Sequence, residues 1–212
     1  MKLQSTFLLI FCIAFLGLNA QEIATFEDGS TTLGTIVGAA ADQQAEFNLS
    51  TANPDKSGIN TSDKCLYILS NHVASDEVTV ESPGRPTWTG NIFTITLDDT
   101  MAITDANRYL HIMHNKERVL NQWLIYGAKG DTVYTELGRG AVSEAGVWVD
   151  MVVDVKAKLD SLKFLRIHLD GNWSGDGATR FYTPTKFYYD NIELSADVTP
   201  RGTEGGDYIT RN

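Results

Sequence analysis

Apolar residues in this chain recur in short runs divided by glycine, proline, asparagine and aspartate, and the period of an amphipathic helix is almost absent. That pattern predicts strands near Ile23–Phe26, Leu33–Val37, Lys64–Ser70, Ile92–Leu97, Tyr109–His114, Gln122–Tyr126, Val133–Glu136, Val147–Val155, Phe164–Leu169 and Lys186–Leu194. The turn-rich stretches Pro83–Pro86, Gly127–Asp131, Gly138–Gly140 and Asp170–Gly177 lie between them, and Asp98–Arg108 and Lys156–Ser161 are expected to hold helical turns. Alternation assigns faces: Leu165, Ile167 and Leu169 against Phe164, Arg166 and His168, and Val149, Met151, Val153 and Val155 against Trp148, Asp150, Val152 and Asp154. One apolar and one wet face per strand predicts an all-β domain, a two-sheet antiparallel sandwich of the jelly-roll kind.

The first residues do not fit this pattern. After Lys2 the chain is nearly uncharged from Leu3 to Leu18 and reaches Leu18-Asn19-Ala20, a basic start, an apolar stretch and a small residue at the cut. A membrane anchor needs about 20 apolar residues and a stop-transfer cluster, so residues 1–20 are expected to be a cleaved signal peptide. The product is expected to be secreted, periplasmic or cell-surface associated, with no transmembrane segment. Residues 21–198 form the predicted sandwich, and 199–212, with Pro200, Gly202, Gly205 and Gly206, a flexible tail.

Charge and cysteine content narrow the function. The net charge of −10, one unit more negative once Lys2 leaves, argues against nucleic acid as a partner and leaves neutral sugars and divalent cations open. Cys12 departs with the signal and Cys65 remains alone in an apolar strand, so the core rather than a disulfide must supply stability, and Cys65 reads as a small buried hydrophobe.

The two ends of the mature chain carry Phe26-Glu27-Asp28-Gly29, Asn53-Pro54-Asp55-Lys56-Ser57-Gly58-Ile59-Asn60 and Tyr189-Asp190-Asn191-Ile192. This set resembles the galactose-binding-like jelly-roll domains, which include carbohydrate-binding modules of secreted glycan-degrading systems. The resemblance implies a non-catalytic glycan-binding role and a structural Ca²⁺ that clips the first and last strands. Glu27 and Asp190 match the two acids, with carbonyls of the Asn53–Asn60 loop as further ligands. Calcium takes roughly 6 to 8 oxygen ligands, which mixed carboxylates and carbonyls supply. The alternative is that Glu27 caps a turn and Asp190-Asn191 shapes the strand entry.

For glycan contact, Trp173 in its polar, glycine-rich loop is the leading residue, followed by Tyr182 and Trp88, each with the alternative of packing on the sandwich edge. The wet face bearing Arg166 and His168 is a second surface. Trp123 and Trp148 read as core. A structural or adhesive protein-interaction domain is the rival function. A lyase or glycosidase ranks lower: Asp150 and Asp154 would stand roughly 13 Å apart along one strand, and no Gly-x-Ser-x-Gly or His-Glu-x-x-His occurs. The sequence leaves oligomeric state open.

Overall fold

The computed structural model describes residues 20–29, 34–37, 46–70, 92–117, 120–130, 133–142, 144–170 and 185–202. Their strands are β1 (Gln21–Ala24), β2 (Gly34–Val37), β3 (Glu46–Ala52), β4 (Lys64–Ser70), β5 (Ile92–Ala102), β6 (Tyr109–Lys116), β7 (Leu120–Ala128), β8 (Thr135–Val142), β9 (Trp148–Asp154), β10 (Ser161–Asp170) and β11 (Thr185–Ser195). One sheet runs β3-β4-β11-β6-β9 with β1 added on β11, and the other runs β2-β5-β10-β7-β8. Every pairing is antiparallel. The two sheets pack as a sandwich.

The core follows from alternation. Leu110 and Ile112 of β6, Phe187 and Tyr189 of β11, and Met151 and Val153 of β9 meet Phe93 and Ile95 of β5, Ile125 of β7, and Leu165 and Ile167 of β10. A smaller cluster of Cys65, Met113 and Trp148 lies outside this core, with Ile59 and Tyr188 packed on it. Trp148 is therefore buried, but not with Met151 and Val153 between the sheets. Burial pushes the Cys65 thiol up to about 12, an inert group as its strand setting implies.

Three expectations need correction. Gly138–Gly140 is not a turn between strands but the middle of β8, paired with Trp123–Ile125 of β7. The polar stretch Glu46–Ala52 was not predicted as a strand, yet it pairs with β4 at the sheet edge, where a strand needs few apolar residues. Asp98–Ala102 continues β5 instead of turning, because Met101 and Ala102 pair with Leu162 and Ser161 beyond a bulge. The helical turn is confined to Asp105–Asn107, capped by Thr104.

Strand directions bring the last residues of β2, β4, β6, β8 and β10 and the first residues of β3, β5, β7, β9 and β11 to one end of the sandwich. On the outer face of the β3-β4-β11-β6-β9 sheet contacts run past Val198, where the domain was expected to close. Arg201 binds Asp150, and a side chain at Gly202 would place its Cβ 1.7 Å from Cγ2 of Ile59.

Candidate functional site

The outer face of the β2-β5-β10-β7-β8 sheet gathers aromatic rings and fixed polar groups. In the ladder Arg166 stands opposite Thr94 of β5 and Tyr126 of β7, and Tyr126 stands opposite Glu136 of β8. Phe164, two residues back, stands opposite Thr96 and Ala128. Tyr134, just before β8, folds over this row: the Arg166 guanidinium carbon lies 3.7 Å from the Tyr134 ring centre, and the Tyr134 and Phe164 rings are 6.4 Å apart. Arg166 Nε also donates to Thr94 Oγ1 at 3.3 Å. At the edge Arg139 Nε donates to Glu136 Oε1 at 2.6 Å in a two-pronged pair.

Thr94, Thr96, Tyr126, Tyr134, Phe164 and Arg166 are all half-buried. They are held firmly enough to be ordered and exposed enough to be touched. The Arg139 guanidinium keeps the Glu136 carboxyl below its ordinary value, so it remains an acceptor at neutral pH. Burial, with the Glu136 charge, raises the Tyr126 hydroxyl, which stays protonated and can donate. The surface thus offers ring faces beside donors and acceptors of fixed position.

Arg166 is the one sequence-selected ligand residue whose side chain is described here. His168 lies two residues further along β10, opposite Ile92 and Leu124, and its side chain is outside the described residues. Trp173, Tyr182 and Trp88 also lie outside the described residues. Sequence reading missed Tyr134 and Tyr126. Their signal was faint, because Tyr126 ends one predicted strand and Tyr134 lies in the next, and only the register brings them to Arg166.

Glu27 and Asp190 come to a common loop. Asn60 Nδ2 donates to Asp190 Oδ2 at 2.8 Å, and Asp63 N donates to Glu27 Oε1 at 2.9 Å. Asn53 organises this loop: its Nδ2 donates to the carbonyls of Asn60 at 3.1 Å and Ser62 at 2.9 Å, and its Oδ1 accepts from Trp148 Nε1 at 2.9 Å. Burial raises the Asp190 carboxyl, and the Glu27 charge adds to the shift, while hydrogen bonds from Asn60, Ser62 and Asn191 oppose it. Asp190 is 0% exposed, and the partners that set its ionisation are neutral donors and another acid. A buried carboxylate of this kind fits a cation, with Glu27 and loop carbonyls as further oxygens. Among the described residues, no group of three or more His, Cys, Asp or Glu side chains is placed to hold a metal, so loop carbonyls would have to complete the shell.

On the outer face of the other sheet, Asp150 Oδ2 accepts from His111 Nδ1 at 2.8 Å, and Asp150 Oδ1 from Arg201 at 2.9 Å. Asp154 accepts from Arg108. Both carboxylates are committed to cationic partners, an arrangement that ties structure together rather than leaving Asp150 and Asp154 free as a pair.

No protein-family model matches the chain, and no curated protein matches it. Among solved structures, a variant of a family 29 carbohydrate-binding module matches with 10% identity over 84% of this chain and 92% of that one, at a TM-score of 0.48. A family 29 module matches with 11% identity over 84% of this chain and 88% of that one, at 0.47. A further variant, complexed with mannohexaose, matches with 9% identity over 84% and 92%, at 0.48. Among the described residues no helix is long and apolar enough to cross a membrane.

Proposed function

We propose that the protein is a secreted, non-catalytic glycan-binding module whose platform is the outer face of the β2-β5-β10-β7-β8 sheet. The observation that carries this reading is the Arg166 guanidinium stacked over Tyr134 and tethered to Thr94, with Phe164 and Tyr126 half-exposed beside it. Ring faces suit the C–H face of a pyranose, while the guanidinium, Thr94, Thr96 and Glu136 suit its hydroxyls. The negative net charge favours neutral sugars over anionic ones. Trp173, Tyr182, Trp88 and His168 remain proposed as additional contacts, on the strength of their sequence settings.

A screen of neutral glycans by array and affinity gel tests this reading. Binding by the wild type that is lost in Tyr134→Ala and Arg166→Ala, with both variants folded, supports it; binding unchanged in both removes this face from the site. Tyr and Arg also dominate protein-binding hot spots, so an adhesive role is the second reading. Pull-down of one protein partner that free sugar does not compete would decide for it.

Secretion and calcium complete the proposal. Export with cleavage after Ala20 gives a product beginning at Gln21, which a mass spectrum of the exported protein reads directly. A structural calcium between Glu27 and Asp190 would offset the buried negative charge beside the Asn53–Asn60 loop and hold the β1 end of the chain to β11.

A further inference from the structure

Between the sheets, toward the end where β6 finishes, three polar residues occupy neighbouring positions of β6 and β11. Alternation along β6 sends His114 and Lys116 inward behind Leu110 and Ile112. Tyr189 of β11 is directly opposite His114 in the ladder, and Phe187 is opposite Lys116. Lys116 is 1% exposed, and His114 and Tyr189 are each 0% exposed. Among the described residues, the Lys116 Nζ, both His114 ring nitrogens and the Tyr189 hydroxyl are the buried side-chain polar atoms with no well-formed hydrogen bond, the His114 ring feeling only an upward pull from the Ile112 backbone.

A buried polar atom left unbonded loses its hydration with nothing in return. Among the described residues these unbonded atoms all fall on neighbouring positions of β6 and β11, and that concentration asks for a ligand. Lys116 and Tyr189 present N–H and O–H donors, and neutral His114 presents one more. What is missing is an acceptor with several lone pairs and a negative charge. Asp150 does not supply it, since its carboxylate is held by His111 and Arg201.

We propose that Lys116, His114 and Tyr189 form a binding site for the carboxylate group of a small organic acid, enclosed between the sheets at this end. The Lys116 ammonium faces one carboxylate oxygen, and the His114 N–H and the Tyr189 O–H bond the remaining lone pairs. Protonation is coupled to this binding. Burial alone brings the Lys116 amine down to about 6, and burial with the Lys116 charge keeps His114 well below its ordinary value. At neutral pH the free site therefore holds a largely uncharged amine, and the bound acid restores its proton. Binding takes up a proton, and affinity falls about tenfold per pH unit once the pH exceeds the free amine's value of about 6. This site is independent of the sheet-face platform.

Calorimetry at pH 7 with acetate and with glucuronate, each in two buffers of different ionisation heat, tests the proposal. Glucose serves as the uncharged counterpart. Expected are saturable binding of at least one acid, proton uptake, no binding of glucose at this site, loss in Lys116→Met, and roughly tenfold weakening in Tyr189→Phe, which keeps the ring against Phe93. If Lys116→Met does not fold, the Lys116 Cε resonance of the wild type gives the answer: its titration midpoint must rise when acid is added. Binding of neither acid, binding without proton uptake, or a free-protein Lys116 midpoint near the ordinary lysine value of about 10.4, showing that the chain supplies its own anion, would each overturn the proposal.

Discussion

The guanidinium of Arg166 lies against the ring of Tyr134, 3.7 Å from its centre, although Arg166 sits on β10 and Tyr134 just before β8, with β7 between those strands. This contact spans three strands and fixes both groups at the surface. An exposed cation–π pair is worth about 0.5–1 kcal/mol, so Arg166→Ala should lower stability by less than about 1 kcal/mol in urea unfolding. Its glycan affinity should fall by roughly tenfold or more, the scale of a hot-spot contact. Arg166→Lys should recover only part of that loss, because an ammonium lacks the planar face that stacks on Tyr134.

The buried Asp150 network sets a second expectation. His111 Nδ1 faces the Asp150 carboxylate and Nε2 faces the Asp197 carbonyl, both at 2.8 Å, so both ring nitrogens meet acceptors and the ring is held as imidazolium. Burial opposes that charge, yet the Asp150 and Asp197 bonds outweigh it and raise the His111 value. A raised value means the folded state binds the proton more tightly than the unfolded chain. The stabilisation is therefore complete below the unfolded value of about 6.5 and is lost as pH rises through the folded one. Urea unfolding across this range should show that decline in the wild type and not in His111→Gln. Asp150→Asn, which strands a buried imidazolium and Arg201, should cost about 3–5 kcal/mol.

Asn191 has φ of +44°, in the left-handed region, within the bulge that follows Asp190. Asparagine tolerates that conformation better than most residues with a side chain, and its Nδ2 also donates to Ser62 Oγ at 3.2 Å. Asn191→Ala should destabilise by about 1–2 kcal/mol, and Asn191→Gly, which relieves the backbone strain but loses the amide, should cost less. Thermal melting of the two variants orders them.

Chelation tests the calcium proposal. Removing divalent cations should lower the melting temperature of the wild type by several degrees, about the effect of 1 kcal/mol or more in a domain of this size. It should do little in Asp190→Ala. Coincident wild-type melting curves with and without chelator would count against the ion.

Much of the architecture was legible because β-strand alternation is a local signal: Lys64–Ser70 has its observed bounds, and the faces of β9 and β10 follow their period. The polar edge strand β3 was not legible, since pairing with β4 rather than burial makes it a strand. Lys116 was missed for the opposite reason. A lysine at the end of an apolar run reads as the strand's exit into water, whereas β6 carries it between the sheets. The platform was half legible: Arg166 could be placed on a wet face by alternation, but Tyr134 and Tyr126 reach it through register, which no short stretch of sequence encodes.

The most direct test of the glycan platform is a backbone amide chemical-shift map of the isotopically labelled protein, titrated with the neutral oligosaccharide that binds best in the array. The largest shifts should fall on Thr94, Thr96, Tyr126, Tyr134, Phe164 and Arg166. Shifts confined to the outer face of the other sheet, around Tyr67 and Tyr188, or no shift with any neutral glycan, would contradict it.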